Sequence, residues 1–218
     1  MSVKKQGAIQ RFSGLSTDTK PTGSTIAIGS TFYEYDSNDT YFTPDNANWY
    51  IKDSKSVKVF PVTTTVSAAT AYSSGDVIAN TQTATSAVAW AFSAVAGYNG
   101  GTGEIIQAQL VAQTANPSIE AVAYLFNASP GGALADNAAN TSPVWADVST
   151  GIYIGRLDFP KMTTRGDAWL PESASCLPLS FSTSSTADDL FAIIVTATAA
   201  TINTSSREMT LTLWARRS

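Results

Sequence analysis

The sequence predicts an all-β protein, a jelly-roll-like β-sandwich preceded by a small N-terminal β-meander, and three observations carry that prediction. From Val57 onward, short runs of high β-propensity recur between turn residues, with almost no helical periodicity. The filling between these runs is Ala, Ser, Thr, Val, Asn, Gln and Gly, a mixture suited to strands with a neutral hydroxyl- and amide-rich outside. Between Lys58 and Arg156 lie 97 positions without a single Lys or Arg, in a chain that has no histidine.

The last observation bears on function as well as fold. Most enzymes need a proton shuttle, a cationic clamp or a metal-ligand set, and the middle of the chain offers almost nothing for those roles, which argues first for a structural or binding protein. At 218 residues and 44% hydrophobic, the chain is long enough for one sandwich-sized domain plus a small module. Charged residues make up only 14%, while Ser and Thr together supply about a quarter of the chain. Such a surface does little to repel neighbours, and part of it is expected to be covered in an oligomer or larger assembly.

The net charge of −4 argues against a nucleic-acid partner, which needs clustered cations for phosphate contacts. The small basic groups, Lys4, Lys5 and Arg11 at one end and Arg207, Arg216 and Arg217 at the other, read as solvated termini or as contacts to an acidic partner surface. The single cysteine, Cys176, rules out an intramolecular disulfide, and without a histidine to activate it the thiol reads as buried or half-buried and structural. No run approaches the roughly 18 apolar residues of a membrane span. Residues 1–20 lack the apolar core of a secretion signal, so the expectation is a soluble protein made in the cytoplasm.

Residues 1–53 form the first predicted module. Seven aromatics fall within Phe32 to Tyr50, besides Phe12. Thr31–Tyr35, Thr40–Thr43 and Asn48–Ile51 read as three strands, separated by the turn residues Asp36–Asp39 and Pro44–Asn46. Three short strands are marginal alone, so the aromatic face is expected to pack on the main domain or on a partner.

Residues 57–218 form the second. The strand runs are Val57–Val66, Asp76–Ala79, Ala87–Phe92, Glu104–Val111, Ala121–Phe126, Gly151–Leu157, Leu177–Phe181, Leu190–Thr196 and Met209–Trp214, about the number that sandwiches and jelly rolls use. The runs containing Ile105–Ile106 and Leu110–Val111, and Val122–Phe126, are nearly continuously apolar, as strands covered on both faces would be. Leu211 and Leu213 against Thr210 and Thr212 give the cleaner alternation of a strand with one wet face. Asn80–Ser86 and Asn127–Asp147 read as long polar loops at Greek-key corners.

Candidate chemistry is thin. Gly97–Gly103 is glycine-rich, but no Gly-Lys-Ser/Thr follows it, and it reads as a strand-crossing loop and not a phosphate loop. Asp188–Asp189 and the cluster Asp36, Asn38, Asp39 could contribute carboxylates to calcium, yet neither has the spacing of a calcium loop, and turn formation explains both. Glu104, Glu120 and Glu172 are the only glutamates of the second module before Glu208, and a glycosidase needs just two carboxylates, which the sequence does not pair. Tyr72, Trp90, Tyr98, Trp145, Tyr153 and Trp169 are either a sugar-stacking platform or, because most sit in or beside strand runs, core. No catalytic, cofactor or metal residue is assigned.

Two stretches resemble a known family. The run from Arg11-Phe12-Ser13-Gly14-Leu15 through Thr19-Lys20-Pro21-Thr22, then Ile28-Gly29-Ser30-Thr31-Phe32-Tyr33-Glu34-Tyr35-Asp36 and ending at Asn48-Trp49, resembles a short module near the start of tailed-bacteriophage structural proteins. The later stretches Ala71-Tyr72-Ser73-Ser74-Gly75-Asp76-Val77-Ile78, Gly103-Glu104-Ile105-Ile106, Leu125-Phe126-Asn127-Ala128-Ser129-Pro130 and Ala135-Asp136-Asn137-Ala138-Ala139 look like phage head accessory proteins. The resemblance implies a non-enzymatic virion component, a capsid decoration protein or head fibre base. It also implies a jelly-roll body, frequent homotrimers, the major capsid protein as partner, and no catalytic residues, cofactor, nucleic acid or membrane.

The expectation is therefore a homo-oligomer on the outside of a phage capsid. Its contact residues would come from the aromatic N-terminal module: Arg11, Phe32, Tyr33, Tyr35, Tyr41 and Trp49. The rival reading is a carbohydrate- or receptor-binding module of a phage tail or fibre, and a glycosidase on the same sandwich comes third.

Overall fold

The computed structural model describes residues 8–54, 57–66, 70–80, 88–113, 119–132, 134–165, 168–170, 174–202 and 207–217. Among these the protein is all-β, with seventeen strands and one five-residue helix. Lys4, Lys5, the loop beyond Asn80 as far as Ser86, and Glu172 lie outside the described residues, as does the side chain of Trp169. The chain divides into two compact units, Met1–Lys58 with Arg216–Ser218, and Val59–Ala215.

The first unit is a four-stranded sheet in the order β1 (Arg11–Gly14), β2 (Thr31–Glu34), β3 (Asp39–Phe42), β4 (Tyr50–Ser54). The last three are the meander that the aromatic runs predict. The sequence reading has no counterpart for β1, which runs parallel to β2 with Arg11 opposite Thr31 and Gly14 opposite Glu34. A parallel neighbour needs a crossover and not a tight turn, and residues 15–30 supply it.

The second unit is a sandwich. Its six-stranded sheet has the order β12 (Thr163–Arg165), β13 (Ala168–Leu170), β9 (Thr102–Ala112), β17 (Arg207–Arg217), β5 (Val57–Val66), with β14 (Leu179–Ser182) also on β9. Its five-stranded sheet has the order β11 (Tyr153–Phe159), β10 (Ala121–Phe126), β15 (Leu190–Thr196), β7 (Val77–Ile78), with β8 (Trp90–Phe92) also on β15. A separate pair, β6 (Thr70–Tyr72) with β16 (Ala200–Ile202), completes it. One core joins the two sheets: Ile105, Leu110, Leu211 and Leu213 from the first meet Ala123, Leu125, Leu157, Phe159 and Ile194 from the second, all essentially without solvent contact. Such burial is the main stabilising term, at roughly 1.5–3 kcal/mol for each large side chain removed from water.

Two strands differ in detail from their apolar runs. In β9 the buried positions are Gly103 and Ile105, then Ala108, Leu110 and Ala112, while Ile106 and Val111 are only half-buried. The strand is thus covered on one face. The change of parity between Ile105 and Ala108 is what one extra bulged residue produces. In β10 and β15 both faces are covered, because a second cluster of Val77, Ala89, Phe126, Ile193 and Val195 forms on the outer face with Leu134, Tyr124, Tyr153 and Phe191 against it.

Leu134 belongs to the Asn127–Asp147 segment, which is laid over that outer face by backbone bonds. Asn137 N–H donates to the Val77 carbonyl, Val77 N–H to the Ala138 carbonyl, and Asn140 N–H to the Gly75 carbonyl, at 2.8–2.9 Å. Carboxylates fasten it at two points. Asp136 accepts from the Tyr72 hydroxyl (2.9 and 3.0 Å) and from Ala79 N–H (3.0 Å). Asp147, in the single helix α1 (Trp145–Ser149) and only 2% exposed, accepts from Gly131 N–H and Val144 N–H at 3.1 Å each.

Two outcomes are expected. Trp90 is 1% exposed and its indole N–H donates to the Ile78 carbonyl at 3.1 Å, so Trp90→Ala should cost about 3–5 kcal/mol in denaturant unfolding, whereas a loss below about 1 kcal/mol would contradict this core. Burial lifts the Asp136 carboxyl above its ordinary 3.8, outweighing the opposing bonds from Ala79 and Tyr72. The folded chain then binds this proton more tightly than the unfolded chain. The site's contribution therefore grows as pH falls through the raised value toward 3.8, and is absent at neutral pH. Unfolding of Asp136→Asn beside the parent, from about pH 7 to about pH 4, should show the difference moving in the parent's favour as pH falls.

Candidate functional site

The register of the N-terminal sheet sorts its side chains into two faces. Phe12, Phe32 and Tyr41 are aligned across β1, β2 and β3, and Ile51 of β4 pairs with Tyr41. On the other face Arg11 and Ser13 align with Thr31 and Tyr33, these with Phe42 and Thr40, and Phe42 with Tyr50. The period of two in a strand makes this division unavoidable once pairing is fixed.

The first face is closed by the 15–30 crossover. Trp49 sits edge-on to both Phe12 and Phe32 with centroids 6.1 Å apart, and its indole N–H donates to the Pro21 carbonyl at 2.7 Å. Ile26, Phe32 and Ile51 are 7%, 4% and 4% exposed. Gly14 permits this closure, since a Cβ there would lie 2.6 Å from the Asp18 carboxylate and 2.9 Å from the Phe32 ring.

Two carboxylates also lie on this face. Glu34 and Asp39 are directly opposite each other in the β2–β3 pair, and both are 2% exposed. Like charges so placed repel, and two cations offset that. Lys20 Nζ is 2.5 Å from Glu34 Oε1 and lies 4.0 Å from the Tyr41 ring centroid and 5.2 Å from that of Phe32. Lys58 Nζ is 3.3 Å from Asp39 Oδ2. Between them the Tyr41 hydroxyl is pushed up to about 12, first by burial and then by the Glu34 and Asp39 charges.

The six predicted contact residues are therefore not one surface. Phe32, Tyr41 and Trp49 hold the unit's own small core, and a partner would reach Phe32 only by displacing the crossover. Arg11 is exposed, Tyr33 is 41% exposed and Tyr35 is 56% exposed. The Tyr33 hydroxyl donates to the Asn38 side chain at 2.9 Å, which fixes its ring over the hairpin turn. With half-buried Phe42 and Tyr50 beside them, these residues give an open face rich in Tyr and Arg, the side chains that dominate interface energetics.

Other candidates resolve individually. Both Asp36 oxygens accept from Ser16, from its N–H at 2.8 Å and its hydroxyl at 2.6 Å, and these bonds hold the carboxyl below its usual range. Asp189 accepts from Ala94 N–H at 2.9 Å. No group of three or more His, Cys, Asp or Glu with metal-binding geometry occurs among the described residues. In the Gly97–Gly103 loop, Gly100 N–H donates to the Ser184 carbonyl at 2.7 Å, leading the chain into β9. Tyr72 and Trp90 are core, and Tyr98 and Tyr153 are half-buried.

Two positions depart from expectation. Trp145 is 81% exposed on α1, with Val148, one turn on, 46% exposed. Cys176, expected to be at least half-buried, is exposed, because it occupies a left-handed turn position (φ 69°) ahead of β14. Its thiol lies 3.3 Å from Asp158, whose other oxygen is 3.3 Å from Arg156 Nε. Arg156, Asp158 and Glu120 line a cleft of about 470 Å³, so of its two carboxylates Asp158 is already engaged on both oxygens.

Sequence reasoning passed over Lys20. It is the sole Lys or Arg between Arg11 and Lys52, in a stretch that carries Glu34 and Asp39, and that imbalance was the available signal. No helix among the described residues is long and apolar enough to cross a membrane. Compared with protein families, curated proteins and solved structures, the chain matches none.

Replacing Lys20 by Met keeps the apolar stem and deletes the charge. With Glu34 left unpaired, the first unit should lose about 2–3 kcal/mol, read by native-state hydrogen exchange at the β2 and β3 amides. Adding Glu34→Gln should restore more than half of that loss, and unchanged exchange in Lys20→Met would contradict the pairing.

Proposed function

We propose that the protein is a non-enzymatic structural component of a bacteriophage virion, bound to the outside of the capsid as a homo-oligomer and contacting the shell through its N-terminal unit. The observation that carries this reading is the open face of that unit. A small sheet that closes its own aromatic core yet leaves Arg11, Tyr33 and Tyr35 outward is organised to hold contact residues rigid before a partner arrives. Preorganisation limits the entropy lost on binding, and many copies on a lattice each need only modest interface area. The sandwich, with few charges and many hydroxyls, adds little self-repulsion where copies crowd together.

Exposed Trp145 supports a second reading, a carbohydrate- or receptor-binding role in a tail or fibre. An indole held outward by a helix whose Asp147 is hydrogen-bonded to Gly131 and Val144 suits stacking against the apolar face of a sugar ring. Glycan-array binding that disappears in Trp145→Ala would favour it.

For the capsid reading, Arg11→Ala with Tyr33→Ala and Tyr35→Ala should weaken binding to purified shells about a hundredfold or more, since each hot-spot truncation costs about 1–2 kcal/mol. Phe42 and the covered face stay intact in that variant. Undiminished shell binding by a folded triple variant, or by a chain lacking residues 1–53, would remove the N-terminal unit from the contact.

A further inference from the structure

The outer face of the five-stranded sheet carries, on its β10–β11 side, the cleft of about 470 Å³ whose walls include Glu120, Val122, Arg156, Asp158, Pro160 and Ser175. Its volume lies in the range that small-ligand sites use. Val122 stands opposite Asp158 and Tyr124 opposite Arg156 in the β10–β11 register, so alternation turns these four side chains to the same face. Backbone bonds fix both rims: Ser175 N–H donates to the Asp158 carbonyl at 3.0 Å, and Ala197 N–H to the Glu120 carbonyl at 2.7 Å. The walls are thus held in place before any ligand arrives.

The chemistry of the cleft is mixed at close quarters. Arg156 meets Asp158 through Nε at 3.3 Å, while the Cys176 thiol lies 3.3 Å from the other Asp158 oxygen, so donors and acceptors stand side by side. Half-buried Glu120 makes no ion pair among the described residues and remains an open acceptor. Exposed Ser175 adds a hydroxyl, which can both donate and accept. Half-buried Val122 and Ala197, with exposed Pro160, supply apolar surface. Tyr124, beside Arg156, has its ring centroid 6.4 Å from that of Tyr153. Burial first and then Tyr124 raise the Tyr153 hydroxyl, while Arg156 and Asp158 act on it in opposite directions, so both charges lie within its reach.

We infer that this cleft is a binding site for a neutral saccharide, holding adjacent hydroxyls of one sugar ring with Glu120 and the Arg156–Asp158 pair. A sugar hydroxyl both donates and accepts, so neighbouring hydroxyls satisfy a carboxylate and a guanidinium together. A bare anion would meet Glu120, and a bare cation would meet Arg156. Two carboxylates and one guanidinium leave the cleft at −1, which disfavours acidic sugars. Val122, Pro160 and Ala197 suit the C–H groups of the ring, and the two tyrosines flank it. Because both Asp158 oxygens are engaged, the arrangement is suited to holding a sugar and not to cleaving one. Trp145 is not among the lining residues and no shell contact is involved, so the site is separate from both readings above.

Saturation-transfer NMR of the full chain, with millimolar methyl glycosides of glucose, galactose, mannose and N-acetylglucosamine, tests this against glucuronic acid and guanidinium as charged controls. The expected result is transfer to at least one neutral glycoside, with binding weakened about tenfold or more in Glu120→Gln and in Arg156→Gln, since each loses a charge-assisted hydrogen bond. Trp145→Ala should leave it unchanged. In the parent protein the same sugar should shift the backbone amides of Val122, Asp158 and Ser175, a readout that needs no variant to fold. Transfer to none of the neutral glycosides would overturn the inference, as would preference for either charged control. Sugar binding that survives both cleft variants and disappears in Trp145→Ala would place it at Trp145 and overturn the cleft.

Discussion

Cations are rationed in this chain, and the structure depends on where they are placed. Across 97 positions the sandwich has no Lys or Arg to set against its carboxylates, so it holds them with neutral donors. Asp136 takes a tyrosine hydroxyl and a backbone N–H, Asp147 takes two backbone N–H groups, and Asp76 takes the Ser73 N–H at 2.5 Å. The Asp136 bonds tie the 127–147 segment to Tyr72 and Ala79, the Asp147 bonds close that segment on itself, and the Asp76 bond closes the turn before β7. The N-terminal unit uses the opposite solution, with lysine on each of two buried acids.

These two solutions have different consequences. Neutral donors fix the carboxylates without long-range fields, so the sandwich gains order and retains net negative charge. Ion pairs in the N-terminal unit offset the two acids of its inner face, and Arg11 lies on the other face with Tyr33. The sandwich unit is acidic by composition, and the N-terminal unit turns Arg11, Tyr33 and Tyr35 outward.

The legibility of the sequence follows the range of the interactions. β5, β10 and β15 run over the residues that their apolar and β-branched runs mark, because burial writes itself into local composition. β1 left no such mark. Its pairing with β2 depends on a sixteen-residue crossover, and Arg-Phe-Ser-Gly is no stronger a strand than many loops. β6 and β16 are three residues each and are defined by pairing with one another from far apart in the chain, and β12 and β13, also three residues each, form a hairpin that β9 anchors through β13. The parity change in β9 is equally silent, since Ile105, Ile106, Leu110 and Val111 are all apolar whichever face they take.

The candidate site was half legible for the same reason. Aromatic density in residues 32–50 located the unit, but only the register tells that Phe32, Tyr41 and Trp49 face inward while Arg11 and Tyr33 face out. Exposure of Trp145 and Cys176 depends on turns whose geometry is set by Asp147 and by the chain's entry to β14. The measurement that tests the account most directly is the copy number of this protein in gradient-purified particles from its source, by quantitative mass spectrometry against the major shell protein. Decoration of the capsid predicts dozens to hundreds of copies per particle. A handful, or none, would contradict it.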